Sequence, residues 1–270
     1  MLEQFDFSDI GDEDDFLPDK KADSGLYEGT RIPTGNDWMD RTLRGGIPLR
    51  SVTLIEGPSD SGKSVMLQHL TSGALLSDLL VAYYSSKGGL EKIADQMLSL
   101  GLDVFDDLES EQLRIFDLDK VAGPKKDASL MLENLVDDVV LRTIEGVDVV
   151  VFDDLTWPIS HANPNDSISL LMRCKELARR GLTILTAMHT SAYDEELSWR
   201  LNKLFDSHIS LVLEGQKRGY RLDVVNLMKL KKVENLVPTG NDELYFRVNP
   251  ELGASMNISL DVMPIFKIQV

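Results

Sequence analysis

Eight consecutive residues, Gly57-Pro58-Ser59-Asp60-Ser61-Gly62-Lys63-Ser64, fit the pattern GxxxxGK[ST] in full. That pattern is a cradle for phosphate. Its glycines let the backbone turn N–H groups onto phosphate oxygens, and a helix starting there adds the positive end of its dipole. Lys63 would reach the β- and γ-phosphates of a nucleotide, and the Ser64 hydroxyl would bind Mg2+. Val65 carries the loop into the helix and completes the predicted binding segment. The competing reading, a chance glycine turn before a helix, is disfavoured by the apolar run before it and the helical pattern after it.

A phosphate loop also needs an acid at the tip of a nearby strand, to hold the cation or its water. Asp153, closing the run Val149-Val150-Val151-Phe152, supplies one. Asp154 is open to three roles: an acid behind the metal, a base that polarises water, or a turn former. The turn or supporting role fits best. Thr186-Ala187-Met188-His189 ends the next apolar run, so His189 could sense the γ-phosphate from a neighbouring strand tip. A lone histidine is more often structural. Asp154 and His189 are the candidate catalytic residues.

The elements that must position these groups alternate. Ser51–Glu56 reads as a strand, followed by the loop and a helix from Gly62 to about Ser77. Strands are predicted at Val81–Ser86, Gln112–Phe116, Val147–Phe152 and Leu182–Met188. Helices are predicted at Leu90–Leu100, Ala128–Ile144 and Ser167–Arg180. The nearly all-apolar Val147–Phe152 suits a central parallel strand covered on both faces. Such alternation predicts an α/β fold with a mostly parallel central sheet and flanking helices. Ser207–Leu213, Arg221–Lys231 and Glu243–Val248, separated by Gly215, Gly219, Pro238 and Gly240, read as an antiparallel C-terminal edge.

At 270 residues the chain has room for one large domain, here 28–270. The segment 1–27 reads as an acidic disordered tail, with nine acids against two lysines in its first 25 residues. Its aromatic residues Phe5, Phe7 and Phe16 leave open a docking role on a basic partner. The net charge of −17 counts against nucleic acid as a partner, because phosphate-backbone binding needs clustered Lys and Arg. A single cysteine, Cys174, excludes an intrachain disulfide framework and suits a reducing cytoplasm. The four histidines show no zinc-ligand spacing, and no apolar run approaches the roughly 20 residues of a spanning helix.

Thr34-Gly35-Asn36-Asp37-Trp38-Met39-Asp40, then Gly45-Gly46-Ile47-Pro48, then the phosphate loop, resemble in this order the RecA/KaiC-like ATPases. That family has a TG…LD segment, a GGIP turn, a strand and the loop, with Leu usual where Met39 stands. Asp153-Asp154-Leu155-Thr156, the Thr186 to His189 strand end, and Asn249-Pro250-Glu251-Leu252-Gly253 bring the likeness nearest to the archaellum (archaeal flagellum) accessory branch. The likeness covers roughly residues 28–255. It implies a RecA-like core that binds ATP with Mg2+. It also implies a homo-oligomer, up to a hexameric ring, with nucleotide near the subunit interfaces. For partners it implies the archaellum motor ATPase and the membrane platform protein, met from the cytoplasmic side at the membrane-embedded motor. Action would be by nucleotide-dependent association more than by rapid turnover.

Two departures from the family pattern carry expectations. Active relatives usually place Glu after the strand that follows the first helix, to orient the attacking water. Here Val81-Ala82-Tyr83-Tyr84-Ser85-Ser86-Lys87-Gly88 puts Lys87 and Gly88 there. Lysine at neutral pH is a poor general base, so tight binding with slow hydrolysis is predicted. Glu91, one turn on, and Asp154 are the possible rescues. The other departure lies at Lys229-Leu230-Lys231, where KaiC-like rings carry Lys-x-Arg reaching the neighbour's γ-phosphate. A lysine at the second position offers a point charge, not a planar fork, and a solvated strand end is the competing reading. The functional alternatives are an active KaiC/RecA-like ATPase in signalling or regulation, and a recombinase-like DNA-binding protein.

Overall fold

The computed structural model describes residues 31–35, 37–218, 221–232, 243–248 and 260–263. The predicted acidic tail, Asn36, the turn residues Gly219, Pro238 and Gly240, and Asn249 to Gly253 lie outside the described residues.

The chain begins with β1 (Arg31–Ile32), α1 (Asp37–Thr42) and β2 (Ile47–Pro48), in which the two strands pair antiparallel. Then come β3 (Val52–Gly57), α2 (Lys63–Leu75), β4 (Val81–Ser85), α3 (Leu90–Ser99), α4 (Phe105–Glu109) and β5 (Leu113–Asp117). The middle third holds α5 (Leu118–Ala122), α6 (Ala128–Ile144), β6 (Val149–Asp153), α7 (Thr156–His161), α8 (Pro164–Arg179) and β7 (Thr183–His189). After α9 (Glu195–Asn202) the chain is all strand: β8 (Ser207–Arg218), β9 (Arg221–Lys232), β10 (Glu243–Val248) and β11 (Leu260–Met263).

Among the described residues the main sheet has nine strands in the order β11-β10-β9-β8-β3-β7-β6-β4-β5. From β5 to β8 every pairing is parallel, and β9, β10 and β11 add antiparallel to the far edge. The predicted fold class, including its antiparallel C-terminal edge, is the observed one. β3, β4 and β6 are buried at every position. Their alternate side chains feed two cores, one on each face. One core holds Ile55, Leu67, Tyr83 and Val151 under α2 and α3. The other holds Leu54, Tyr84, Phe152 and Leu135 under α6 and α8.

Helix starts follow local chemistry. The side chains of Asp127, Asn163 and Asp194 accept from N–H groups of the first turns of α6, α8 and α9. α8 begins at Pro164, three residues before the predicted Ser167, because Asn163 caps it and proline suits the first turn. The sequence reading did not contain α1, α4, α5, α7 or α9. The five- to eight-residue lengths of these helices give too few turns for an apolar period to register. α2 is different, since its N-cap Gly62 makes no side-chain cap bond and its first turn has no acid. Its leading N–H groups are left facing the phosphate loop.

Candidate functional site

The parallel registers bring the strand tips to one level. Gly57 of β3 lies opposite His189 of β7, and Ser85 of β4 opposite Asp153 of β6. In open α/β sheets, ligands settle at such carboxyl ends. Ser59, Asp60, Ser61, Gly62, Lys63, Ser64 and Val65 line a cleft of roughly 600 Å3 there, joined by Lys87, Asp154, Thr156 and His189. That volume suits a small-molecule ligand. Gly57 has to be glycine: a Cβ would fall 2.4 Å from Ser61 Oγ and 2.9 Å from the Leu211 carbonyl. Gly62 turns the loop into α2 at φ 91°, in the left-handed region.

Lys63 folds back on its own loop, donating to the carbonyls of Gly57 (2.9 Å) and Pro58 (2.7 Å). Its pKa is lowered, mainly by burial and further by the neighbouring Lys87 ammonium, against the opposing pull of Asp154, Asp153 and Asp60. Asp153 is wholly buried. The Ser64 hydroxyl donates to its Oδ1 at 2.7 Å, and the Tyr83 hydroxyl donates to its Oδ2 at 2.9 Å. Burial, and the carboxylate alongside, push the Tyr83 hydroxyl well above its ordinary pKa, so it stays a donor. The ammonium of Lys87 donates to Ser64 Oγ and lies 3.7 Å from Asp153 Oδ1. Ser64 and Asp153 are thus an adjoining hydroxyl and carboxylate, hard oxygen donors of the kind that suit a small divalent cation shared with phosphates.

Asp154 borders the cleft and also shapes the chain. Its Oδ1 accepts from the Thr156 N–H at 2.7 Å, and its own N–H donates to Ser86 Oγ at 3.2 Å. The expected turn role is therefore present. His189 donates its backbone N–H to Thr156 Oγ1 at 2.8 Å. Its ring Nδ1 accepts from the Ser191 N–H at 3.1 Å. A backbone N–H can only donate, so the ring proton sits on Nε2, giving a donor for an anionic oxygen. Glu91 stands exposed in the first turn of α3, behind the cap Gly89, and is not among the residues lining the cleft.

Lys229 and Lys231 are not among those lining residues either. Lys231 Nζ donates to Glu56 Oε2 at 3.2 Å within the same chain. His208 Nε2 meets the same oxygen at 2.7 Å. Burial raises the pKa of the Glu56 carboxyl, but the His208 bond and the charges of Lys231 and His208 lower it by more, so it ends below its usual value. Glu56 directly precedes the loop, so this cluster fixes the end of β3. Sequence reasoning missed Glu56 and His208, whose positions differ by 152, and no local pattern links them. It also missed Tyr83. A tyrosine within a buried strand was the available signal, since its hydroxyl must find a partner.

The family model described as "ATPase: KaiC" matches residues 32–235. The chain belongs to the KaiC family of ATPases. It is 27% identical over 224 residues to the archaeal flagellar ATP-binding protein FlaH of Sulfolobus acidocaldarius, covering 82% of this chain and 94% of that protein. The crystal structure of the flagellar accessory protein FlaH from Methanocaldococcus jannaschii superposes with a TM-score of 0.69 at 25% identity, covering 87% of this chain and 99% of that one. A KaiC-like protein from Pyrococcus horikoshii reaches a TM-score of 0.64 at 15% identity, covering 87% of this chain and 99% of that one, and shares the fold. Membership of the KaiC family of ATPases implies nucleotide binding. Among the described residues no helix is long and apolar enough to cross a membrane.

Proposed function

We propose that the chain is an ATP-binding switch of an archaellum motor, which binds nucleotide firmly and hydrolyses it slowly. The observation that carries this is Lys87. It stands at the tip of β4, against Ser64 and Asp153, where active relatives place a glutamate. General-base assistance is typically worth about 10²–10⁴ in rate, and an ammonium does not supply it. Two carboxylates border the cleft, Asp60 and Asp154. One oxygen of Asp154 already accepts from the Thr156 N–H.

In this reading the loop N–H groups and the start of α2 hold the phosphates, and Lys63 swings from its carbonyls to the β- and γ-phosphates. Ser64 and Asp153 are the residues that would hold Mg2+, which would supply charge to neutralise the phosphates. Tyr83 orients Asp153 through its hydroxyl. His189 offers its Nε2–H to the γ-phosphate and so separates ATP from ADP. ATP then drives assembly only if the assembled state binds it more tightly than the free chain does.

Likeness to the FlaH proteins supports an archaellum setting. The partners in this reading are the motor ATPase and the membrane platform protein, reached from the cytoplasm at the motor's periphery. Self-association, up to a hexameric ring, belongs to the same reading. For Lys231 to reach a neighbouring subunit's nucleotide, its bond to Glu56 would have to open.

A single-turnover assay tests the switch. Substoichiometric labelled ATP is incubated with the protein and Mg2+, and bound ATP and ADP are followed over hours. ATP that stays bound and intact is the expected result. Prompt conversion to ADP would favour a second reading, an active KaiC-type ATPase, for which Asp154 in the cleft is the available base.

A further inference from the structure

We propose that Lys87 is a tethered cation at the metal position of the phosphate site, so that this chain holds ATP with little dependence on a divalent ion. The inference rests on the reading of the cleft as an ATP site and adds to it a cation requirement. The ammonium occupies the ground between the two groups that would share a metal. It donates to Ser64 Oγ and lies 3.7 Å from Asp153 Oδ1.

Charge balance explains why a cation belongs there. Asp153 is 0% exposed, and its two oxygens receive hydrogen bonds from neutral hydroxyls, those of Ser64 and Tyr83. A buried carboxylate with neutral donors alone is costly, so a positive charge beside it stabilises the site. Lys87 brings one, and its backbone is fixed for the task. Its N–H donates to Ser85 Oγ at 3.0 Å, and its carbonyl accepts from Lys92 Nζ at 2.6 Å. Both contacts hold the β4 tip beside Asp153, while the long side chain reaches across to α2. The ammonium has three donors and spends one on Ser64, which leaves donors for phosphate oxygens. Lys63 and Lys87 line the cleft together, so a polyanion meets two cations there. An acid at position 87 would instead repel the phosphates and leave charge neutralisation wholly to the metal.

The test measures equilibrium binding of mant-ATP to the full chain, in Mg2+ and in EDTA. It compares wild type, Lys87→Met and Lys87→Arg. Wild type is expected to bind within about threefold in the two buffers, whereas Lys87→Met loses at least about tenfold in EDTA, the scale of one charged hydrogen bond. Lys87→Arg keeps the charge and is expected to keep the wild-type ratio. Mn2+ titration of the protein–ATP complex by EPR should show tighter metal binding in Lys87→Met, because two cations no longer compete for one place.

Wild type that loses at least about tenfold in EDTA, as a metal-dependent site does, would overturn the inference. So would Mn2+ affinity unchanged by Lys87→Met. Should Lys87→Met bind in neither buffer, the arginine variant decides: a wild-type ratio supports the tethered cation, and metal dependence overturns it. Wild type that binds ATP in neither buffer would overturn the ATP reading and this inference with it. ATP bound in both buffers but rapidly cleaved would sink the slow-hydrolysis reading alone.

Discussion

Glu56, buried at the end of β3 beside the phosphate loop, is a residue whose removal should be strongly felt. Its side chain is 8% exposed and its Oε2 serves two donors. The His208 arm, 2.7 Å long and 5% exposed, is a buried bond to a charged group, a class worth about 1.5–3 kcal/mol. The Lys231 arm, 3.2 Å long and 51% exposed, is screened and worth under about 1 kcal/mol. Glu56→Ala removes the acceptor and leaves the His208 ring buried without it. The expected loss is about 2–4 kcal/mol, which for a chain of this size lowers the melting temperature by roughly 10 °C. Lys231→Met should cost less than about 1 kcal/mol.

The acid dependence of Glu56 has a definite sign. The folded carboxyl titrates below its ordinary value of 4.5, so the unfolded chain binds its proton more tightly. The stabilisation is complete above about pH 4.5 and is lost as pH falls through the lower, folded value. Urea unfolding followed by tryptophan fluorescence, at neutral pH and at successively lower pH, measures both effects. The stability gap between wild type and Glu56→Gln should narrow on acidification. A Glu56→Ala loss below about 1 kcal/mol would refute the reasoning, as would Lys231→Met matching Glu56→Ala or a gap that widens in acid.

Gly73 lies inside α2, where alanine would ordinarily gain about 1 kcal/mol. Here a Cβ would fall 1.7 Å from the Pro33 carbonyl oxygen, so Gly73→Ala should destabilise by about 1–3 kcal/mol in a thermal melt. Lys87→Glu should raise single-turnover hydrolysis, by up to about 10²–10⁴ if the base alone is lacking; an unchanged rate would reject the missing base as the explanation. His189→Ala should weaken ATP by about tenfold in a competition assay and leave ADP unaffected, if its Nε2–H serves the third phosphate as proposed. Equal loss for both nucleotides would remove the sensor role.

The nucleotide loop, the acid of β6 and the alternation of strands and helices were legible along the chain because each is a local signal. Eight contiguous residues spell the phosphate cradle, and the apolar run Val149 to Phe152 suits a strand buried on both faces, which it is. Local caps and periods also placed α6 and β10 at their observed bounds. Lys87 drew notice because the family resemblance puts a glutamate at that strand end. Where its charge goes was not legible. That depends on the β4–β6 register, which sets Ser85 opposite Asp153 and so carries Lys87 onto Ser64. The Tyr83 hydroxyl on Asp153 and the Glu56–His208–Lys231 cluster depend likewise on strands adjacent in the sheet and remote in the chain. Side-chain types and short spacings are written in the sequence. Which of them share a buried charge is decided by sheet order and register, because only the folded sheet brings those strand ends within a hydrogen bond of one another.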